Sequence, residues 1–349
     1  MDFTRQLLLW YQKNKRDLPW RNTKNPYYIW LSEIILQQTR IEQGLPYYLS
    51  FTENFPSLKD LATANEDAVL KLWQGLGYYS RARNLHFTAK TIYFDLNNTF
   101  PANYNNIIKL KGIGPYTAAA IASFAYKEPV AVVDGNVFRI LSRFFGISDD
   151  IAVTKTRTVF QNLANELISK KHPDLFNHAI MDFGATVCVP ANPKCEQCVL
   201  NQKCYAFLKN EVKQLPVKNK KISVKNRYLN YLILRKNNEI VIQQRTDKDI
   251  WQQLFELPLV ETATDNEEEL FLHLSNLYPN NNIKKVTANT IKHKLSHQQL
   301  HINFYEIKVF DFSLDQQTSA INDLHLYAYP IVIWNFLKDF FTLEKNYYF

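Results

Sequence analysis

The chain has 349 residues, more than one hydrophobic core ordinarily serves, and 41 Lys+Arg against 33 Asp+Glu leave it at +8. No segment approaches the roughly 18 uncharged apolar residues that a membrane-spanning helix needs. The N-terminus, MDFTRQLLLWYQKNKR, lacks the apolar core and small-residue cleavage site of a secretory leader, so a cytosolic protein is expected.

The charge is uneven. Residues 1–221 hold 28 basic and 18 acidic side chains, net +10, whereas residues 222–349 hold 13 and 15, net −2. A basic first part suits a polyanionic partner. Its apolar residues recur at helical spacing, as in TAAAIASFAY (117–126) and NVFRILSRFF (136–145).

Within PYYIWLSEIILQQTR, Glu33 sits in an apolar helical stretch beside Trp30, Ile34, Ile35 and Leu36. Burial there would raise its pKa and keep it protonated near neutrality, as a general acid requires. Further on, LKGIGPYT (110–117) separates two helical patterns. Gly112 and Gly114 permit a tight turn with positive φ and close approach of backbone to a ligand, and the N–H groups opening the next helix would face an anion. Such a helix-hairpin-helix grips a DNA phosphate without reading bases. Asp134, in VDGNVFRILSR, precedes a helical run, where it can cap the helix or present its carboxylate to a cleft.

All four cysteines, Cys188, Cys195, Cys198 and Cys204, fall in CVPANPKCEQCVLNQKC (188–204). Disulfide scaffolds are short and spread their cysteines along the chain, so this cluster points to a metal centre. The spacing C-x6-C-x2-C-x5-C offers one short knuckle instead of the two usual in zinc sites, and by itself it leaves zinc and a [4Fe–4S] cluster open.

The stretch KNEVKQLPVKNKKISVKNR (209–227) is polar and lysine-rich, as a linker should be. Beyond it, RYLNYLILRK, EIVIQQR and LHINFYEIKVF read as strands. An all-α first domain and an α+β second domain are expected.

Taken together, the acid in a helix, the G-x-G hairpin, the aspartate twenty residues later and the four cysteines resemble the helix-hairpin-helix DNA glycosylases that carry an iron–sulfur cluster. Within that superfamily, LPWR (18–21), WLSEIILQQTR (30–40), GLGYYSRARNL (75–85), GPYTAAAI (114–121) and VDGNV (133–137) are similar to motifs of the MutY-type adenine DNA glycosylases. Endonuclease III-like members place a Schiff-base lysine where this chain has Tyr116.

The resemblance implies a glycosylase domain over 1–208, including the cluster loop 188–204, a linker over 209–224, and a Nudix-like lesion-recognition domain over 225–349. It implies excision of adenine opposite 8-oxoguanine or guanine from double-stranded DNA, by a monomer holding one [4Fe–4S] cluster on the four cysteines, in a bacterial cytosol or nucleoid. Glu33 would protonate the flipped base, Asp134 would stabilise the sugar cation, and Tyr116 and Asn136 would orient them. Arg16, Trp20, Arg21, Leu36, His178 and Met181 would line the adenine pocket; Gln38 and Tyr78 would wedge into the duplex. Lys194 and Lys203, beside the cluster, would meet phosphates. Leu295, Ser296 and His297 would contact 8-oxoguanine. The acidic stretch ELPLVETATDNEEELFLHL (256–274) lacks the Nudix hydrolase signature, so this domain is expected to recognise only.

Three positions depart from the family pattern: Phe138 replaces a lysine, His178 a Glu or Gln, and Leu295 an aromatic. Two other readings compete, an endonuclease III-like glycosylase/lyase and a non-catalytic DNA-binding iron–sulfur protein.

Overall fold

The computed structural model describes residues 2–219 and 223–342. Part of the expected linker (220–222) and the last seven residues of the expected second domain lie outside the described residues. Contacts divide the chain into two compact units, Met1–Thr63 with Asn84–Lys220 and Ala64–Arg83 with Lys221–Phe349.

The first unit is helical. The Pro26–Ile35 helix opens on Asn25, whose side chain accepts from Tyr27 N–H at 3.0 Å, with Pro26 preorganised at its first position. Its apolar residues run all round it, so it lies inside the unit and takes Glu33 with it. It packs on the Pro115–Tyr126 helix, an alanine-rich element that leaves room for close approach. The Pro173–Thr186 helix packs against that one, against Gly135–Phe145 and against Phe3–Asn14. These contacts bring the ends and faces of four of these five helices, all but Phe3–Asn14, to one cleft.

The hairpin before Pro115 is tighter than the helical pattern implied, because NYNNIIK forms only the single turn Tyr104–Ile107. Of the two glycines, Gly112 alone has positive φ (77°), and a Cβ there would meet Asn84 Cβ at 2.6 Å. Gly114 caps the next helix at φ −90°, and nothing lies within 4 Å of where its Cβ would be.

In the second unit, a seven-stranded mixed sheet is built around two long strands, Lys225–Lys236 and Gln298–Lys308. They run parallel, with Leu229 opposite Ile302 and Tyr231 opposite Phe304. Alternation sends Leu229, Tyr231 and Ile233 to a face shared with the Ile331–Phe340 helix, and Leu232 and Leu234 to a face shared with Glu267–Leu277. The EIVIQQR stretch splits into the strands Glu239–Val241 and Gln243–Gln244. Ala64–Arg83 joins this unit through specific contacts that composition did not signal. Lys71 Nζ donates to the Tyr327 carbonyl at 3.1 Å and lies 4.7 Å from the Trp334 ring centre. Arg83 Nη1 donates to the Gln252 carbonyl at 2.6 Å.

Candidate active site

A cleft of about 780 Å³ in the first unit is lined by Arg16, Trp20, Arg21, Glu33, Leu36, Gln38, Tyr116, Asp134, Asn136, His178 and Met181. Among the described residues, no helix is long and apolar enough to cross a membrane.

Glu33 projects from the buried Pro26–Ile35 helix and is only 8% exposed. Burial pushes its carboxyl up to about 7; Tyr116, by hydrogen bonding, and Arg21, by charge, pull it down, while Asp134 pushes it further up. Tyr116 stands at the start of the Pro115–Tyr126 helix, and burial, with both carboxylates, raises its own pKa well above that of a free phenol. Its hydroxyl also donates to Met181 Sδ at 3.1 Å.

Asp134 is the N-cap of the Gly135–Phe145 helix. One oxygen accepts from Asn136 N–H and Val137 N–H, each at 2.9 Å, and the other from Asn136 Nδ2 at 2.8 Å. The carboxylate that caps the helix therefore also lines the cleft. Asn136 lies close to Gly184, where a Cβ would come within 2.5 Å of its own Cβ.

His178, Met181, Asp182 and Ala185 fall on one face of the Pro173–Thr186 helix by their i, i+3, i+4, i+7 spacing. The His178 ring stacks on Phe124 with centroids 3.9 Å apart, and its Nδ1 is buried without a hydrogen-bond partner. Burial, reinforced by Arg21 and opposed by Asp182, lowers its pKa to about 3 and leaves it neutral.

Asp182 is the anchor that sequence reasoning missed. Arg16 Nε reaches its Oδ1 at 2.7 Å, and Arg21 spans both oxygens at 2.6 and 2.7 Å. Burial pushes the Asp182 carboxyl up, but the two guanidiniums overcome it and hold it below the usual range. Two cations on one anion leave positive charge at this wall.

Arg139 was also missed, although an arginine among Val137, Ile140 and Leu141 is a legible signal. Its Nε donates to the Cys188 carbonyl at 2.6 Å, and Nη2 donates to Asn136 Oδ1 at 2.8 Å and the Gly184 carbonyl at 2.7 Å. Arg143 donates to the Val189 and Pro190 carbonyls at 2.8 and 2.9 Å, and its Nη1 lies 3.5 Å from Cys188 Sγ. The cysteine loop is thus tied to the helix that Asp134 caps.

The four cysteines are free and line one small cavity. Burial pushes the Cys198 thiol up to about 11 and raises Cys204 as well, so a cationic centre is needed to draw out the thiolates. Among the described residues, no group of three or more His, Cys, Asp or Glu side chains is already placed to hold a metal ion. A donor set of four sulfurs around one cavity suits a zinc ion or an iron–sulfur cluster alike. Lys194 and Lys203 are exposed on this loop.

In the second unit, a separate cavity of about 540 Å³ brings Tyr78 together with Leu295, Ser296 and His297. The Tyr78 and Ser296 hydroxyls are hydrogen-bonded. Trp251, which belongs to no motif legible in the sequence, lines the same cavity. Tyr78 is 46% exposed with φ 49°, and Gln38 in the first unit is exposed with φ 56°, conformations that cost energy for non-glycine residues. Gly112 and Gly114 line neither cavity. Phe138 packs edge-on against Phe160 at 5.0 Å.

Residues 31–166 match the HhH-GPD superfamily base excision DNA repair protein family, and residues 230–339 match the NUDIX domain. The adenine DNA glycosylase of Buchnera aphidicola subsp. Acyrthosiphon pisum is 36% identical over 308 residues, covering 86% of this chain and 85% of that protein. The adenine DNA glycosylase of Homo sapiens is 40% identical over 222 residues, covering 61% and 41%. Among solved structures, a thermostable thymine-DNA glycosylase superposes with a TM-score of 0.55 at 29% identity, covering 59% of this chain and 95% of that one. A trapped endonuclease III–DNA covalent intermediate superposes at 0.52 with 20% identity, covering 59% and 94%, a likeness of fold.

Proposed function

This chain belongs to the adenine DNA glycosylase family, and we propose that it excises adenine mispaired with 8-oxoguanine or guanine in duplex DNA, as a monofunctional enzyme that leaves an abasic site. The observation that carries this reading is the pair of carboxyl groups in one cleft. Glu33 is buried and half-protonated near neutrality, while the Asp134 carboxylate is held by three N–H donors. Contrasting environments of this kind divide acid from nucleophile or cation stabiliser.

The base must leave the stack to reach the cleft. The Glu33 proton passes to adenine N7 as the C1′–N9 bond breaks, and the bonding electrons leave with the neutral base. The Asp134 carboxylate stabilises the sugar cation or bonds C1′ transiently. Water then adds to C1′, and its proton restores Glu33. Asn136 fixes the Asp134 carboxylate, with Arg139 behind it. Arg16, Trp20, Arg21, Leu36, His178 and Met181 hold the base, and Gly112 and Gly114 bring backbone to a phosphate. Tyr116 offers no amine, so no Schiff base forms and the strand is not cut.

Cys188, Cys195, Cys198 and Cys204 would hold one [4Fe–4S] cluster, which would fix the 188–204 loop. In the other unit, Tyr78, Leu295, Ser296 and His297 would read the oxidised guanine, whose N7–H a hydroxyl or imidazole can detect, while Gln38 enters the duplex from the first unit. We assign the catalytic part to 1–63 and 84–208, the linker to 209–224, and lesion reading to 225–349 together with Ala64–Arg83, which carries Tyr78, in a cytosolic monomer.

The test is a duplex carrying one A opposite 8-oxoguanine, with C opposite the lesion as control and Glu33→Gln beside the wild type. Cleavage at A that requires hot alkali and is lost in the variant is expected. Intact DNA in every lane from protein that binds the duplex would overturn the reading. A borohydride-trapped adduct would overturn its monofunctional part.

A further inference from the structure

Met181 makes a contact that lining a pocket does not require. Its Sδ accepts from the Tyr116 hydroxyl at 3.1 Å, a close approach for a thioether. Glu33 lines the same cleft, and the same hydroxyl acts on its carboxyl as a hydrogen-bond donor, which favours the ionised form. A phenol carries one hydrogen and cannot donate fully to both.

Two arrangements satisfy all three groups. With Glu33 protonated, its O–H donates to Tyr116 Oη, and the Tyr116 hydrogen goes to Met181. With Glu33 ionised, the Tyr116 hydrogen turns to the carboxylate and the sulfur loses its donor. We propose that Met181 is a positioning residue: its thioether parks the Tyr116 hydrogen while Glu33 keeps its proton, and gives it up to the carboxylate once that proton has passed to the base. No bond at Tyr116 breaks; only its O–H rotates. The inference rests on Glu33 as the acid of the proposed function.

The surrounding charges do not supply the same effect. Arg21 favours the ionised carboxyl and Asp134 the protonated one. His178, one turn before Met181, is neutral, and Asp182 is committed to Arg16 and Arg21. Arg40 and Glu42 line the same cleft. Replacing Met181 by leucine keeps the apolar bulk and removes the acceptor, so the protonated arrangement alone is weakened and Glu33 becomes more acidic. A purely apolar effect of leucine would act in the opposite direction, by stronger desolvation.

The chain has two methionines, Met1 and Met181, so methyl-¹³C methionine labelling gives two signals, assigned with Met181→Leu. The Met181 methyl is expected to titrate with a midpoint near the Glu33 value of about 7. That titration should vanish in Glu33→Gln and in Tyr116→Phe. In single-turnover adenine release, Met181→Leu should move the basic limb down by roughly half to one pH unit, the worth of one modest hydrogen bond. A methyl signal that is flat through the limb, a limb that stays in place or moves up, or a change confined to KM would overturn the proposal. Wild-type protein that releases no adenine would sink the proposed function instead, and the methyl titration would still decide the exchange.

Discussion

Arg139 donates from Nε to the Cys188 carbonyl at 2.6 Å, which joins the first cysteine of the cluster loop to the helix capped by Asp134. The same guanidinium holds Asn136 Oδ1, and Asn136 holds Asp134. A chain of three side chains therefore runs from the loop to the carboxylate. It gives the loop a way to set the geometry of the cleft without touching substrate.

Arg139 is 8% exposed and serves several acceptors, which sets the expected cost of losing it. Arg139→Met leaves buried carbonyls without donors, and each such group costs about 1–3 kcal/mol. The urea midpoint should fall by an amount equivalent to about 3 kcal/mol. Single-turnover adenine release should fall further than that of a surface variant of equal stability. A variant with normal release at full occupancy of the fold would separate the loop from the chemistry.

Glu33 gives a prediction in pH with a definite sign. Its folded value of about 7 lies above the 4.5 of an unburied glutamate. The native state therefore holds a proton that the unfolded chain releases, and its contribution is fully present below the unfolded value and lost as pH rises through the folded one. Adenine release should decline across the same upper limb, since the protonated form is the active one. Glu33→Gln should abolish release yet stabilise the fold at pH above about 8, by up to about 3 kcal/mol, with little effect at acid pH. Denaturant titrations at two pH values check this; equal shifts at both would show that Glu33 does not titrate in this window.

His178 is held neutral, so no limb in the ordinary histidine range should come from it. His178→Phe keeps the stack on Phe124 and removes an unpartnered buried nitrogen, so stability should hold or rise by about 1 kcal/mol. If the other ring nitrogen contacts the base, release should slow by roughly tenfold, the worth of one buried hydrogen bond. Unchanged release would make the imidazole a wall and nothing more.

Much of the site was legible because its residues contradict their surroundings. An acid inside an apolar helix and an aspartate before a helical run each stand out locally, and both line the cleft. Asp182 did not, because its meaning depends on Arg16 and Arg21, some 160 positions away in the chain. The Tyr116–Met181 bond spans 65 positions and joins two residues whose types announce no polar contact. The membership of Ala64–Arg83 in the second unit was likewise hidden. It is carried by single contacts such as Lys71 to Tyr327, and neither composition nor periodicity reports these.

The Tyr78–Ser296 hydroxyl pair tests the proposed lesion reading separately from catalysis. Each hydroxyl both donates and accepts, so the pair can turn one acceptor toward a ligand N–H while staying bonded to itself. Guanine offers no hydrogen at N7, whereas 8-oxoguanine does. Removing one hydroxyl should therefore weaken binding to 8-oxoguanine:A more than to G:A. In Ser296→Ala, the preference for the oxidised pair in single-turnover release should fall by roughly 5- to 10-fold, as expected for one hydrogen bond of about 1 kcal/mol or slightly more. Tyr78→Phe should produce a similar loss, and the double variant should lose little more, because each single change already breaks the shared bond. Additive losses would mean that the two hydroxyls act independently. An equal fall on both mispairs would mean that the cavity supports binding to duplex DNA without reading the lesion.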